Sequence, residues 1–261
     1  MKRNFLIITW VLFILTLSGC YVFLGPAGVD GEQEADRIPP NTPTVSVPGA
    51  FVNVPGDVRY SISGGEDNED GSGFSHYEYD LFGGGNSDQN TLTALTGTIV
   101  PSFGVANGQS YYLFIRSVDK AGNASAYTRA DIGLDTDAPS SPGSLTINVN
   151  SDGRNATLSW SAVADPFSGT RFYLLTLDDG TSSCDYNVYA NASGVIYSSN
   201  PTLQGASCPF LSLLTFNANV TANILNLRVN TDLTLGVSLT TADRAANSSS
   251  ASSASDSFTE P

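Results

Sequence analysis

The sequence predicts an all-β protein built as two β-sandwiches in series. Three observations predict it. Many short runs alternate apolar and polar residues, as in "VRYSIS", "HYEYDL" and "YYLFIRS", and are bounded by Gly, Asn, Asp and Pro. That is the period of half-buried strands joined by turns. No segment after residue 25 carries a long apolar repeat at helical spacing. And one pattern occurs twice: a strand-like run followed by "DKAGNAS" from Asp119, then another followed by "DRAANSS" from Asp243.

The elements follow in chain order. "MKRN" is cationic and "FLIITWVLFILTL" is an uninterrupted apolar run. This is the layout of an export signal, with a positive end, an apolar core and small residues at the cut. The closing "LSGC", Leu17 to Cys20, resembles the bacterial lipobox. That resemblance implies that residues 1–19 are a signal peptide and that Cys20 becomes the first residue of the mature protein, carrying a diacylglycerol thioether and an acylated amine of the palmitate kind. Because Tyr21 rather than Asp follows, it also implies the outer membrane if the cell is Gram-negative. The same stretch admits an uncleaved anchor, since Phe5 to Leu24 is uncharged and about 20 apolar residues span a bilayer. Lys2 and Arg3 would then stay inside. Both readings place the rest of the chain outside the cytoplasm, tethered to a membrane.

Residues 20–40 follow as the lipidated Cys and a flexible tether rich in Gly, Pro and acid. The first sandwich is expected over residues 41–137 and the second over 138–249. The Ser-rich stretch 250–261 reads as a disordered tail. The duplication sets the unit boundaries. "TDAPSSPGSLTINV" opens the second half as "PPNTPTVSV" opens the first. Ser72-Gly73 matches Ser168-Gly169, Tyr77 matches Tyr173, and Leu81 matches Leu177. Each unit thus runs from a Pro-rich lead-in to a strand, a Ser-Gly turn, a Tyr-bearing strand and a late strand ending at Asp.

This arrangement resembles the fibronectin type III family in its bacterial extracellular form. The resemblance implies a buried Trp on an early strand, which Trp160 in "LSWS" fits. It also implies a late strand of the form Tyr-x-apolar-x-apolar-x-small-x-Asp before an Asp-x-Ala-Gly-Asn-x-Ser turn. Tyr111, Leu113, Ile115, Ser117, Asp119, Gly122 and Asn123 fit that form. Asp119 is placed to accept N–H groups of its own turn. The departures are Ile62 for the Trp in the first unit, and Leu235 for the Tyr and Ala246 for the Gly in the second. The second unit is also longer. Gly73 to Asp119 is 46 positions and Gly169 to Asp243 is 74, a difference of 28 that falls in a 178–230 insertion.

With Cys20 taken by lipid, Cys184 and Cys208 remain of the three cysteines. The default for such a pair outside the cytoplasm is a disulfide. One acidic loop has partial metal spacing: Glu66, Asn68, Asp70 and Gly71 fit positions 1, 3, 5 and 6 of an EF-hand-type loop. The match then fails, since Tyr77 stands at position 12 and a strand follows. Ca²⁺ at this loop and a solvated acidic turn both stand as readings. His76 is the only histidine and shares a strand face with Glu78 and Asp80. No G-x-S-x-G elbow, H-E-x-x-H or P-loop occurs. The chain therefore reads as a non-enzyme without a further cofactor. The net charge of −14, or −16 after Lys2 and Arg3 leave with the signal, argues against nucleic acid as a partner.

The expectation is a membrane-anchored extracytoplasmic lipoprotein of the bacterial cell envelope that binds a protein or glycan partner without catalysis. Two further readings are a spacer or scaffold with no ligand of its own and an accessory glycan-binding module. An aromatic patch at the insertion or in the groove between units would favour binding, and polar faces alone a spacer.

Overall fold

The computed structural model describes residues 35–150, 155–180, 183–190, 196–198, 202–204, 210–216, 219–225 and 233–258. The described chain is all-β, and a single 3₁₀ turn at Pro55–Asp57 is its one helical element. In the first unit the strands are β1 (Pro43–Ser46), β2 (Phe51–Val52), β3 (Tyr60–Gly64), β4 (Phe74–Gly83), β5 (Asn86–Leu92), β6 (Gly97–Ile99), β7 (Gln109–Asp119) and β8 (Thr128–Leu134). They form two sheets, β1-β3-β6 and β2-β8-β7-β4-β5. The β2–β8 pair is parallel and the other ladders are antiparallel.

Alternation along each strand decides which side chains enter the core. On β7, Tyr111, Leu113, Ile115 and Ser117 are fully buried, while Tyr112, Phe114 and Arg116 face outward. Tyr60 and Ile62 of β3, Tyr77 and Leu81 of β4, and Ile132 and Leu134 of β8 meet them between the sheets. Full burial of each such side chain stabilises the fold by about 1.5–3 kcal/mol.

The second unit repeats the plan. Its strands are β9 (Gly143–Val149), β10 (Asn155–Ser161), β11 (Thr170–Asp178), β12 (Ser183–Ala190), β13 (Ile196–Ser198), β14 (Thr202–Gln204), β15 (Phe210–Phe216), β16 (Asn219–Leu225), β17 (Leu233–Asp243) and β18 (Ser252–Phe258). One sheet runs β15-β16-β10-β9, the other β13-β12-β11-β17-β18 with β14 on β12. Its core is separate and centres on Trp160, Tyr173, Leu175, Tyr186, Leu235 and Leu239. The Trp160 and Tyr173 rings meet edge to face at 5.6 Å. β4 and β11 each carry a register shift just after the Ser-Gly turn, Phe74/His76 in one and Thr170/Phe172 in the other. The repeat therefore extends to irregularities of backbone geometry.

Three sequence expectations need correction. The tether ends earlier than residue 40. From Asp36 the chain lies on the first unit, where Ser72 N–H donates to the Asp36 carboxylate at 2.8 Å and Asn41 N–H to Glu66 C=O at 3.0 Å. The boundary between units falls at Asp135 rather than after 137, because Asp135 enters the second unit as Asp36 enters the first. Finally, Ser252–Phe258 is not disordered: β18 pairs with β17 from Leu233↔Phe258 to Leu239↔Ser252. Its alternation is one of small residues, with Ala254 against the core. The sandwich needs this strand, because it stands where β8 stands in the first unit.

Cys184 is buried in the second core and is disulfide-bonded. Cys208 and Cys20 lie outside the described residues. So does much of the 178–230 insertion, whose described part supplies β12 to β16. Among the described residues no helix is long and apolar enough to cross a membrane.

Candidate functional site

β7 ends at Asp119 and β17 at Asp243, both buried. Each carboxylate closes its own turn. Asp119 Oδ1 accepts the Asn123 N–H at 2.8 Å and Oδ2 the Asn123 side-chain amide at 2.8 Å. Asp243 repeats this with Asn247, at 2.8 Å for both bonds. The same Asn amide also donates to the main chain entering the unit: Asn123 Nδ2 to Asp36 C=O at 3.0 Å, and Asn247 Nδ2 to Asp135 C=O at 2.8 Å. A third carboxylate arrives from the loop before the Ser-Gly turn. Asp67 Oδ2 accepts the Gly73 N–H at 2.6 Å, and Asp165 Oδ1 accepts those of Ser168 and Gly169 at 2.8 and 2.9 Å.

The result is two matching groups, Asp36/Asp67/Asp119 and Asp135/Asp165/Asp243. Within each group one carboxylate oxygen per residue lies within 4.8 Å of the others. Among the described residues none of the six makes an ion pair. N–H donors take part of the load, and those of Ser72 and Ile38 hold the Asp36 carboxyl below its usual range. Three like charges at this spacing still repel one another. Oxygen-only donors of this kind fit a hard divalent cation such as Ca²⁺ better than a softer metal.

The sequence pointed to this loop through Glu66, Asn68 and Asp70, and the structure brings a different residue of it to the group. Glu66 and Asp70 are exposed, and Asn68 spends its side-chain amide on Asp67 Oδ1 at 3.0 Å. The carboxylate brought to the others is Asp67, between them. Asp36 and Asp135 were missed altogether. The available signal was the repeat, since both stand just before the Pro-rich lead-ins "RIPP" and "TDAP". His76 pairs with Glu78 at 3.8 Å, and Glu78 takes Arg116 at 2.7 Å, a surface arrangement.

The structure also groups aromatics that sequence left scattered. On the outer face of β4, β7 and β8, Phe82 meets Phe114 at 6.1 Å. The Arg129 guanidinium lies 4.9 Å over the Tyr112 ring, and Arg116 lies 4.9 Å over Tyr127. At the end of this face, where the units meet, a groove of about 660 Å³ is lined by Phe82, Asn86, Gln109, Tyr112 and, from the second unit, Phe167.

No protein-family profile matches the chain, and no curated protein matches it. Solved structures do. The chain is similar to the FN1–FN3 domains of chicken CNTN1, at 13% identity and TM-score 0.47, over 86% of this chain and 68% of that one. It is also similar to a set of titin domains, at 13% identity and TM-score 0.43, over 84% of this chain and 66% of that one.

Proposed function

We propose that the protein is a lipid-anchored, non-catalytic binding module of the cell envelope. Its two sandwiches would hold a recognition surface away from the membrane. One observation carries the reading: the junction groove, in which Phe82 and Tyr112 of the first unit face Phe167 of the second. Aromatic rings beside amide and guanidinium groups suit a protein or glycan partner. A spacer would need no such surface. The net charge of −14 speaks against nucleic acid. Anchoring is carried by Cys20 and pairing of Cys184 by Cys208, the remaining cysteine.

Cross-linking with mass spectrometry on intact cells tests this reading. A partner cross-linked to the wild type and lost from Phe82→Ala/Tyr112→Ala supports it. Equal recovery from both forms places binding outside the groove, and no partner from either form makes the protein a spacer. Palmitate labelling of the wild type that is lost in Cys20→Ser supports the lipid anchor, and labelling that persists unchanged counts against it.

A second reading concerns Ca²⁺, and the two aspartate groups favour it. Among the described residues Asp119, Asp135 and Asp243 are buried without ion-pair partners, and buried charges are commonly either paired or bound to metal. Ca²⁺ is proposed at Asp36/Asp67/Asp119 and Asp135/Asp165/Asp243, in place of Glu66, Asn68 and Asp70. Calorimetric titration with Ca²⁺ should give two equivalents, and one in Asp243→Asn. No heat with the wild type rejects it.

A further inference from the structure

The hydrogen bonds of Asp135 divide between the two units. Its N–H donates to Val52 C=O of the first unit at 2.9 Å. Its C=O accepts from Asn247 Nδ2 of the second at 2.8 Å, and its carboxylate from Ser168 N–H at 3.2 Å. One residue thus ends the first sandwich and begins the second, and no free linker lies between them. Beside it Phe51 and Phe167, one from each unit, pack edge to face at 5.6 Å. Gly133 leaves the room: a Cβ there would stand 2.5 Å from Phe51 and 3.2 Å from Phe167.

We infer that this junction is a latched, rigid elbow that holds the two sandwiches at one fixed angle. Units in tandem move relative to each other by default, because a flexible linker and a small polar interface leave them free. Here one residue joins the units in place of a free linker, and an aromatic pair adds an apolar contact between them. The latch is the side-chain amide of Asn247, which holds its own turn through Asp243 and the incoming chain through Asp135. The first unit has the same latch, where Asn123 holds Asp36. There the incoming chain is the tether, so that latch fixes how the tether leaves and has no bearing on the elbow. The idea rests on the proposed function only in giving rigidity a purpose: a groove lined from both units keeps its shape only if the elbow does.

The test measures orientation and not binding, so its outcome is independent of any partner. Spin labels on unnatural amino acids at Thr91 and Ser253, both exposed, report the distance between units in the full-length chain in detergent. The wild type and Asn123→Ala should each give one narrow distance distribution. In Asn247→Ala/Phe167→Ala the distribution should roughly double in width, as expected when tandem domains regain their usual freedom. Trp160 fluorescence checks that the second core stays folded, and if it does not, Phe51→Ala carries the same test from the first unit. A broad wild-type distribution overturns the inference, as does an unchanged width in the folded variant.

Discussion

Ala246 sits at φ +72°, where the first unit has Gly122 at +90°. The two turns are otherwise the same: Gly122 N–H donates to Asp119 C=O at 3.3 Å and Ala246 N–H to Asp243 C=O at 3.4 Å. A Cβ at Gly122 would meet nothing within 4 Å. The cost at Ala246 is therefore conformational rather than steric. A non-glycine residue in this region costs about 1–3 kcal/mol, and glycine returns about 0.4–1 kcal/mol of that as unfolded-state entropy. Ala246→Gly should stabilise the second unit by about 1 kcal/mol. Urea unfolding followed by Trp160 fluorescence measures it, and an unchanged midpoint would show that the turn bears no strain. Both Asn residues of these turns lie in N-x-[ST] sequons, yet each side-chain amide is committed to two hydrogen bonds.

Among the elements, β18 shows how a strand can hide in a sequence. "SSASDSF" has no β-branched residue and a single aromatic. Propensity reads it as a tail, and only its register against β17 makes it a strand. Two contacts tie it in beyond the ladder. Ala254 packs on the core, and Asp256 Oδ2 accepts the Val149 N–H of β9 at 2.8 Å. Ending the chain before Ser252 would expose β17, with Leu235, Val237 and Leu239 on one face, as a bare edge. In scanning calorimetry this truncation should abolish the transition of the second unit and leave that of the first, since the two cores are separate. A second transition that persists unshifted would mean β18 contributes nothing.

The whole molecule carries buried tyrosines in both cores, and this sets its alkaline limit. Burial pushes the Tyr60, Tyr77, Tyr173 and Tyr186 hydroxyls above the usual phenol value, Tyr186 to about 12. A tyrosine whose folded pKa is raised keeps its proton when the unfolded chain loses it. Between pH 10 and about 12 the unfolded state binds fewer protons, so stability falls as pH rises and is unaffected by Tyr186 below pH 10. Thermal melts across that range should show the second unit losing stability, with a shallower loss in Tyr186→Phe. Equal slopes would place the alkaline limit elsewhere.

Asp243 and Asp67 mark the line between what sequence and structure each decide. The all-β class, the duplication and the candidate core were legible, because strand alternation and turn residues are local signals of period two. Trp160, Tyr173, Tyr77 and Tyr111 could be named from pattern alone, and all four are buried. Asp243 and Asp119 were also visible, since each lies four residues from the Asn it bonds. The carboxylate groups were not. Asp36 and Asp119 are 83 positions apart, and Asp135 and Asp243 are 108 apart. Only strand pairing brings such residues together, and no local pattern records which loop side chains converge. The same reason hid the elbow and its groove: the Phe51–Phe167 contact joins residues 116 positions apart in two different units. Local patterning was enough to announce two sandwiches, whereas the last strand and the way their ends meet depend on strand register, hydrogen bonds and ring contacts between residues far apart along the chain.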